Sequence, residues 1–109
     1  MTPYLQIVTT TETRDEAQAI ATALVEERLA ACVQILGPVT STFRWQGAVQ
    51  TSDEWLCVAK TRQTLYDQVE QTIRRLHTYD TPEIIATAIV EGSSTYLDWL
   101  GSETDEPKR

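Results

Sequence analysis

Residues 31–61 read ACVQILGPVTSTFRWQGAVQTSDEWLCVAKT, and the fold turns on this stretch. Val33 and Ile35 alternate with neighbours of the opposite face, Gly37-Pro38 interrupts, and Val39, Ser41, Phe43 and Trp45 alternate again. A Gly-Pro pair inside a long strand predicts a bulge or kink rather than an end. Gln46-Gly47 predicts a tight hairpin turn. The chain then returns from Ala48 to Thr61, with Trp55, Cys57 and Ala59 on one face and Leu56, Val58 and Lys60 on the other. The polar run Gln50 to Glu54 is expected to project into solvent or loop out. Roughly fifteen residues per strand is about 50 Å when fully extended, longer than a single small domain needs. A two-stranded ribbon is marginal by itself, so Phe43 and Trp45 near its tip are expected to pack on a neighbouring subunit.

Working outward, Tyr4 to Thr10 is β-branched in character and reads as a first strand. Thr13-x-x-Glu16 fits a capping box. Behind it, Ala17, Ile20, Ala21, Leu24, Val25 and Leu29 recur at helical spacing. On the other side of the ribbon, a second helix from about Arg62 to His77 carries Leu65, Val69, Ile73 and Leu76 as its stripe, with Tyr66 beside it. It should stop before Thr81-Pro82, since a residue preceding proline is pushed out of the helical region. Glu83 to Glu91 reads as a fourth strand, apolar on both faces, and Thr95 to Leu100 as a short helix ended by Gly101. The order is β-α-β-β-α-β plus a short C-terminal helix. This predicts an α+β, ferredoxin-like βαββαβ fold with a long hairpin between its second and third strands. One domain is expected over residues 1–102, with 103–109 a polar, frayed tail.

Composition narrows the function classes. Of 109 residues, 41% are hydrophobic and 23% charged, as in ordinary folded proteins. Nine basic against sixteen acidic residues give a net charge of −7, which argues against nucleic-acid binding by phosphate neutralisation. No apolar run is long enough for a membrane helix. The start Met1-Thr2-Pro3-Tyr4 lacks the basic and apolar regions of a signal peptide, so a cytoplasmic location with reduced thiols is expected. There is no CxxC pair, no glycine-rich phosphate loop and no Asn of the kind an acylphosphatase-like site needs. Cys32 and Cys57 lie in apolar strand context, where a buried inert thiol is the usual case. With the turn at Gln46-Gly47 they fall about four residues out of register, ~13 Å along the ribbon, beyond disulfide reach.

An antiparallel sheet with one wet face should alternate apolar and polar residues. The fourth strand instead offers Ile84, Ala86, Ala88 and Val90 on one side and Ile85 and Ile89 on the other. Helices cover one face; the opposite face keeps large apolar groups and is expected to meet copies of the same chain. About 600 Å² per subunit, at ~25 cal/mol per Å², favours association by a gross ~15 kcal/mol before association costs. The competing arrangement has the short third helix and the tail covering that face within one chain.

The densest polar cluster is Leu76-His77-Thr78-Tyr79-Asp80-Thr81-Pro82-Glu83, at a helix-to-strand junction and holding the only His. Two readings stand side by side. In one, His77, Asp80 or Glu83 forms a ligand or cation site. In the other, His77 caps the helix C-terminus and Glu83 makes a structural hydrogen bond. Lys60 and Arg62 are expected to pair with Glu83 or to bind an anion.

The blocks Glu27-Arg28-Leu29-Ala30-Ala31-Cys32-Val33, Phe43-Arg44-Trp45-Gln46-Gly47, Lys60-Thr61-Arg62, His77-Thr78-Tyr79-Asp80-Thr81-Pro82-Glu83-Ile84 and Tyr96-Leu97-Asp98-Trp99 resemble, in order and spacing, the CutA family of divalent-cation-tolerance proteins. The resemblance spans about Tyr4 to Leu100. It implies a non-enzymatic, cytoplasmic homotrimer built like the PII signalling proteins and linked to tolerance of copper and other divalent cations. It implies metal ligands at Cys32, His77 and Glu83, and intersubunit clefts lined by Trp45, Lys60, Tyr79 and Glu83 that take a small molecule or a protein partner. Thr9 and Leu76 stand where some members have a first-strand Cys and a second His, and Thr78 where a Pro is usual. One His with oxygen ligands per subunit implies only weak copper(II) binding. The same resemblance leaves room for a PII-like signalling or ligand-binding adaptor.

Overall fold

The computed structural model describes residues 2–105 of the 109. It comprises β1 (Tyr4–Thr11), α1 (Arg14–Glu26), β2 (Cys32–Trp45), β3 (Ala48–Arg62), a 3-10 turn (Gln63–Leu65), α2 (Tyr66–Leu76), β4 (Ile84–Ala88) and α3 (Ser94–Glu103). The four strands form one antiparallel sheet in the order β2-β3-β1-β4. This is the expected ferredoxin-like βαββαβ arrangement, with the β2-β3 hairpin drawing the molecule out to 44 Å along its long axis.

The hairpin follows its local chemistry. Gln46 and Gly47 both have positive φ, 51° and 79°, as a two-residue turn matched to strand twist requires. Trp45 pairs with Ala48, and pairing runs regularly to Val39 opposite Glu54. The register then shifts by one residue across Gly37-Pro38, so that Leu36 faces Leu56 and Cys32 faces Lys60. A Cβ on Gly37 would lie 2.7 Å from the Trp55 ring, so only glycine lets the bulge pass beneath that indole. Cys57 pairs with Ile35, three residues from Cys32, and both thiols are free.

Residues of β1 and β3 divide cleanly between two faces. Ile7 and Ala59 pack with Ile20, Leu24, Leu65, Val69 and Ile73 of the helical layer. Thr13 caps α1, its side chain accepting the Glu16 N–H at 3.2 Å. Arg28, with φ 59°, takes the left-handed position that ends the helix, and Leu29 and Ala30 donate back to the Leu24 carbonyl. Val25, placed on the core stripe by spacing, is exposed, because the layer under α1 closes on Leu24 and then Leu29.

Several boundaries differ from the sequence expectation. Residues 50–54 pair in β3 rather than looping out; 50–53 project into solvent as expected, but Glu54 is only 8% exposed. The second helix is preceded by a 3-10 turn rather than starting at Arg62. Strand β4 ends at Ala88, although the Ile89 N–H still donates to the Tyr4 carbonyl. Helix α3 runs through Gly101 instead of stopping there. The reason is steric: a Cβ on Gly101 would lie 2.5 Å from the Tyr4 hydroxyl, so this glycine allows close docking of a helix on the sheet. The tail is held as far as Asp105. Arg62 donates to the Gly101 carbonyl and to Thr104, and Arg28 binds Asp105 at 3.0 Å. Residues 106–109, the rest of the expected frayed segment, lie outside the described residues.

Tyr4 and Arg62 share the face opposite α1 and α2, so α3 covers one end of that second face. On the same face Val8, Leu56 and Val58 are half-buried, and Leu36 and Ile85 remain 49% and 54% exposed.

Candidate functional site

The loop between α2 and β4 is bound to three elements. His77 is the first non-helical residue after α2. Its Nε2–H donates to the Thr10 carbonyl of β1 at 2.7 Å, and its Nδ1 accepts the Tyr79 backbone N–H at 3.1 Å. This pattern fixes the neutral Nε2–H tautomer. The Tyr79 ring lies beside the imidazole with centroids 4.9 Å apart. Its hydroxyl donates to Glu54 Oε2 of β3 at 2.9 Å. Thr78 Oγ1 donates to Glu16 on α1 at 2.9 Å. Burial, followed by the hydrogen bond to Glu54 and the nearby charges of Glu54, Glu12 and Glu16, pushes the Tyr79 phenol well above its usual range.

Between this loop and the hairpin lies an open cleft of about 760 Å³. Phe43 and Trp45 form one wall, Tyr79, Asp80 and Glu83 the other, and Thr10 and Glu54 the sheet side. Trp45, Tyr79 and Glu83, expected in a cleft between subunits, line this recess within one chain. Lys60 does not join them: its Nζ bonds Gln34 Oε1, and it pairs in register with Gln6 and Cys32 toward the other end of the sheet. Nor does Lys60 or Arg62 pair with Glu83. Lys60 and Glu83 are separated by strand β1 and by about four residues, ~13 Å, along it.

The three expected metal ligands are not brought together within one chain. Cys32 sits beside Lys60, His77 at the Thr10 end of β1, and Glu83 on the cleft wall. Both ring nitrogens of His77 are already engaged. Among the described residues no three His, Cys, Asp or Glu side chains are grouped to hold a metal ion. The buried thiol of Cys57 has its pKa pushed up to about 11 by burial, so it stays protonated and unreactive near neutrality.

Glu54 is the site residue that sequence reading missed. It falls in a polar run expected to face solvent, yet it has the same parity as Leu56 and Val58, which places it on the second face. That parity was the available signal.

Comparison with known proteins agrees with this architecture. The family profile described as CutA1 divalent ion tolerance protein matches residues 5–103. A divalent-cation tolerance protein CutA from Thermus thermophilus is 44% identical over 98 residues, covering 90% of this chain and 95% of that protein. A chloroplastic CutA protein from Arabidopsis thaliana is 38% identical over 94% of this chain, which spans 56% of that longer protein. Among solved structures, CutA1 from Oryza sativa superposes with a TM-score of 0.94 at 36% identity, covering 96% of both chains. The Thermus thermophilus protein superposes with a TM-score of 0.91 at 42% identity, covering 94% of this chain and 99% of that one. The hairpin, the bound α2-β4 loop and these matches agree, and the chain belongs to the CutA1 divalent ion tolerance family.

Proposed function

We propose that the protein is a non-enzymatic, cytoplasmic homotrimer serving divalent-cation tolerance, its subunits joined through the second face of the sheet. The observation that carries this reading is that face itself. Leu36 and Ile85 stand about half exposed there beside Val8, Leu56 and Val58, while α3 docks at the Tyr4 end. A contiguous apolar face of this kind is what a soluble chain buries against its own copies. The number three rests on the family resemblance. Metal ions, copper among them, bind weakly in this account. Cys32, His77 and Glu83 come from separate places, and His77 gives up a hydrogen bond before it can ligate. Native mass spectrometry with and without added copper(II) tests both parts. The expected result is a three-subunit mass whose copper is lost on mild chelation. A single-subunit mass contradicts the assembly, and chelator-resistant copper contradicts weak binding.

The cleft favours a second reading, in which the protein is a ligand-binding adaptor of PII-like build. A recess of about 760 Å³ with aromatic walls and a few polar groups has the size and composition of a small-molecule site.

A further inference from the structure

We infer that His77, the only imidazole of the chain, is closed to metal ions by its own fold, so that copper bound by this protein takes no imidazole ligand. The inference rests on the reading of weak metal binding and names the side chain that takes no part in it. It departs from the family resemblance, which implies His77 as a ligand.

A metal ion needs a bare imidazole lone pair, and neutral histidine has one. Here that lone pair, on Nδ1, accepts the Tyr79 backbone N–H at 3.1 Å, while the Nε2 proton goes to the Thr10 carbonyl at 2.7 Å. The second bond extends the sheet. Pairing of β1 with β4 stops at Thr9 opposite Ile84, and the imidazole takes up the carbonyl of the residue beyond. A metal on Nδ1 displaces the Tyr79 N–H. A metal on Nε2 moves the ring proton to Nδ1, where it opposes the Tyr79 N–H, and it also leaves the Thr10 carbonyl unpaired. Either route strips backbone groups of partners that folded chains keep.

Assembly does not reopen the ring. Thr10 and Tyr79 belong to the same chain as His77, so a copy packed on the sheet can bring a thiol or a carboxylate near but supplies no lone pair to this imidazole. Nor is the blocking N–H on a loose segment. Thr78 is fastened to Glu16 of α1 at 2.9 Å, and the Tyr79 hydroxyl to Glu54 of β3 at 2.9 Å. The Tyr79 ring also lies beside the imidazole, with centroids 4.9 Å apart. Within one chain no compensation is at hand, since no three donor side chains are grouped among the described residues.

Pulsed electron paramagnetic resonance of the intact protein with equimolar copper(II) at neutral pH tests this directly. The remote nitrogen of a ligating imidazole modulates the spin echo, and the chain has a single His to produce it. Expected is an echo without that modulation, or no protein-bound copper signal. By equilibrium dialysis, His77→Gln should hold copper(II) within about twofold of the parent, whereas loss of a ligand would lower affinity by about tenfold or more. Nitrogen NMR of the parent needs no variant and decides the matter where His77→Gln fails to fold. It should show the Nε2–H tautomer, with ring shifts unmoved by equimolar zinc(II). Imidazole modulation in the parent, a loss of copper affinity of about tenfold in His77→Gln, or ring shifts that move with zinc(II) each overturn the inference. The two claims fail separately. Copper that is easily chelated yet shows imidazole modulation overturns this inference alone, and chelator-resistant copper without the modulation overturns weak binding alone.

Discussion

Removing one hydroxyl, in Tyr79→Phe, probes the bond that fastens the α2-β4 loop to the sheet. Tyr79 donates to Glu54 at 2.9 Å, and Glu54 is 8% exposed with no other hydrogen-bond partner among the described residues. A hydrogen bond to a charged group contributes about 1.5–3 kcal/mol, and a buried acceptor left unpaired loses most of that. A destabilisation of about 2 kcal/mol is therefore expected near neutral pH. With a urea dependence of about 2 kcal/mol per molar, the unfolding midpoint falls by about 1 M. Protein concentration must be held constant, because assembly adds to apparent stability. The double variant with Glu54→Gln should show a coupling of at least about 1 kcal/mol. The pH dependence carries a sign. The folded-state pKa of Tyr79 is raised above its ordinary 10.0, first by burial and then by Glu54. Its contribution is fully present below pH 10. It declines above pH 10, where the unfolded chain releases the phenol proton and the folded chain retains it. Tyr79→Phe should therefore flatten the alkaline limb of the stability curve. A midpoint within about 0.2 M of the parent, with an unchanged alkaline limb, would refute the claim that this bond holds the loop.

Three further outcomes follow from packing and capping. Gly101→Ala should cost about 1–3 kcal/mol by overpacking, since its Cβ would lie 2.5 Å from the Tyr4 hydroxyl; urea unfolding of the variant measures it, and Gly101→Ala with Tyr4→Phe should recover part of the loss. Thr13→Ala should cost about 1 kcal/mol through the lost cap on Glu16 N–H, read by the same assay, while Thr13→Ser should cost little. Iodoacetamide at pH 8 should leave Cys57 unmodified until the chain unfolds, because the thiol is buried and its pKa is pushed up to about 11; mass mapping of the labelled peptide checks this.

Much of this architecture was legible because local signals and burial agree. The Gln46-Gly47 turn, the bulge at Gly37-Pro38, the Thr13 cap and the Ile20-Leu24-Val69-Ile73 stripe each follow from short-range chemistry that the folded chain keeps. The misplacements have a common physical origin in long-range contact. Gly101 reads as a helix stop locally, but its missing side chain is used for docking on Tyr4. Glu54 reads as solvated, but its strand places it on the second face opposite a loop twenty-five residues onward in sequence. Lys60 was grouped with the cleft through resemblance, whereas its register puts it beside Cys32 and Gln34. The two readings of His77 were left open by sequence. Its two hydrogen bonds tie it to Thr10 of β1 and to Tyr79, and neither runs to a carbonyl of α2 as the capping reading expects.

Sedimentation velocity at micromolar concentration tests the central claim, that the second sheet face is covered by copies of the same chain. The parent protein should sediment as a three-subunit particle. A Leu36→Lys, Ile85→Lys variant, altered at the two most exposed aliphatic positions of that face, should shift toward one subunit while keeping its helical circular dichroism. A parent protein that sediments as a stable, fully folded single subunit would contradict the account.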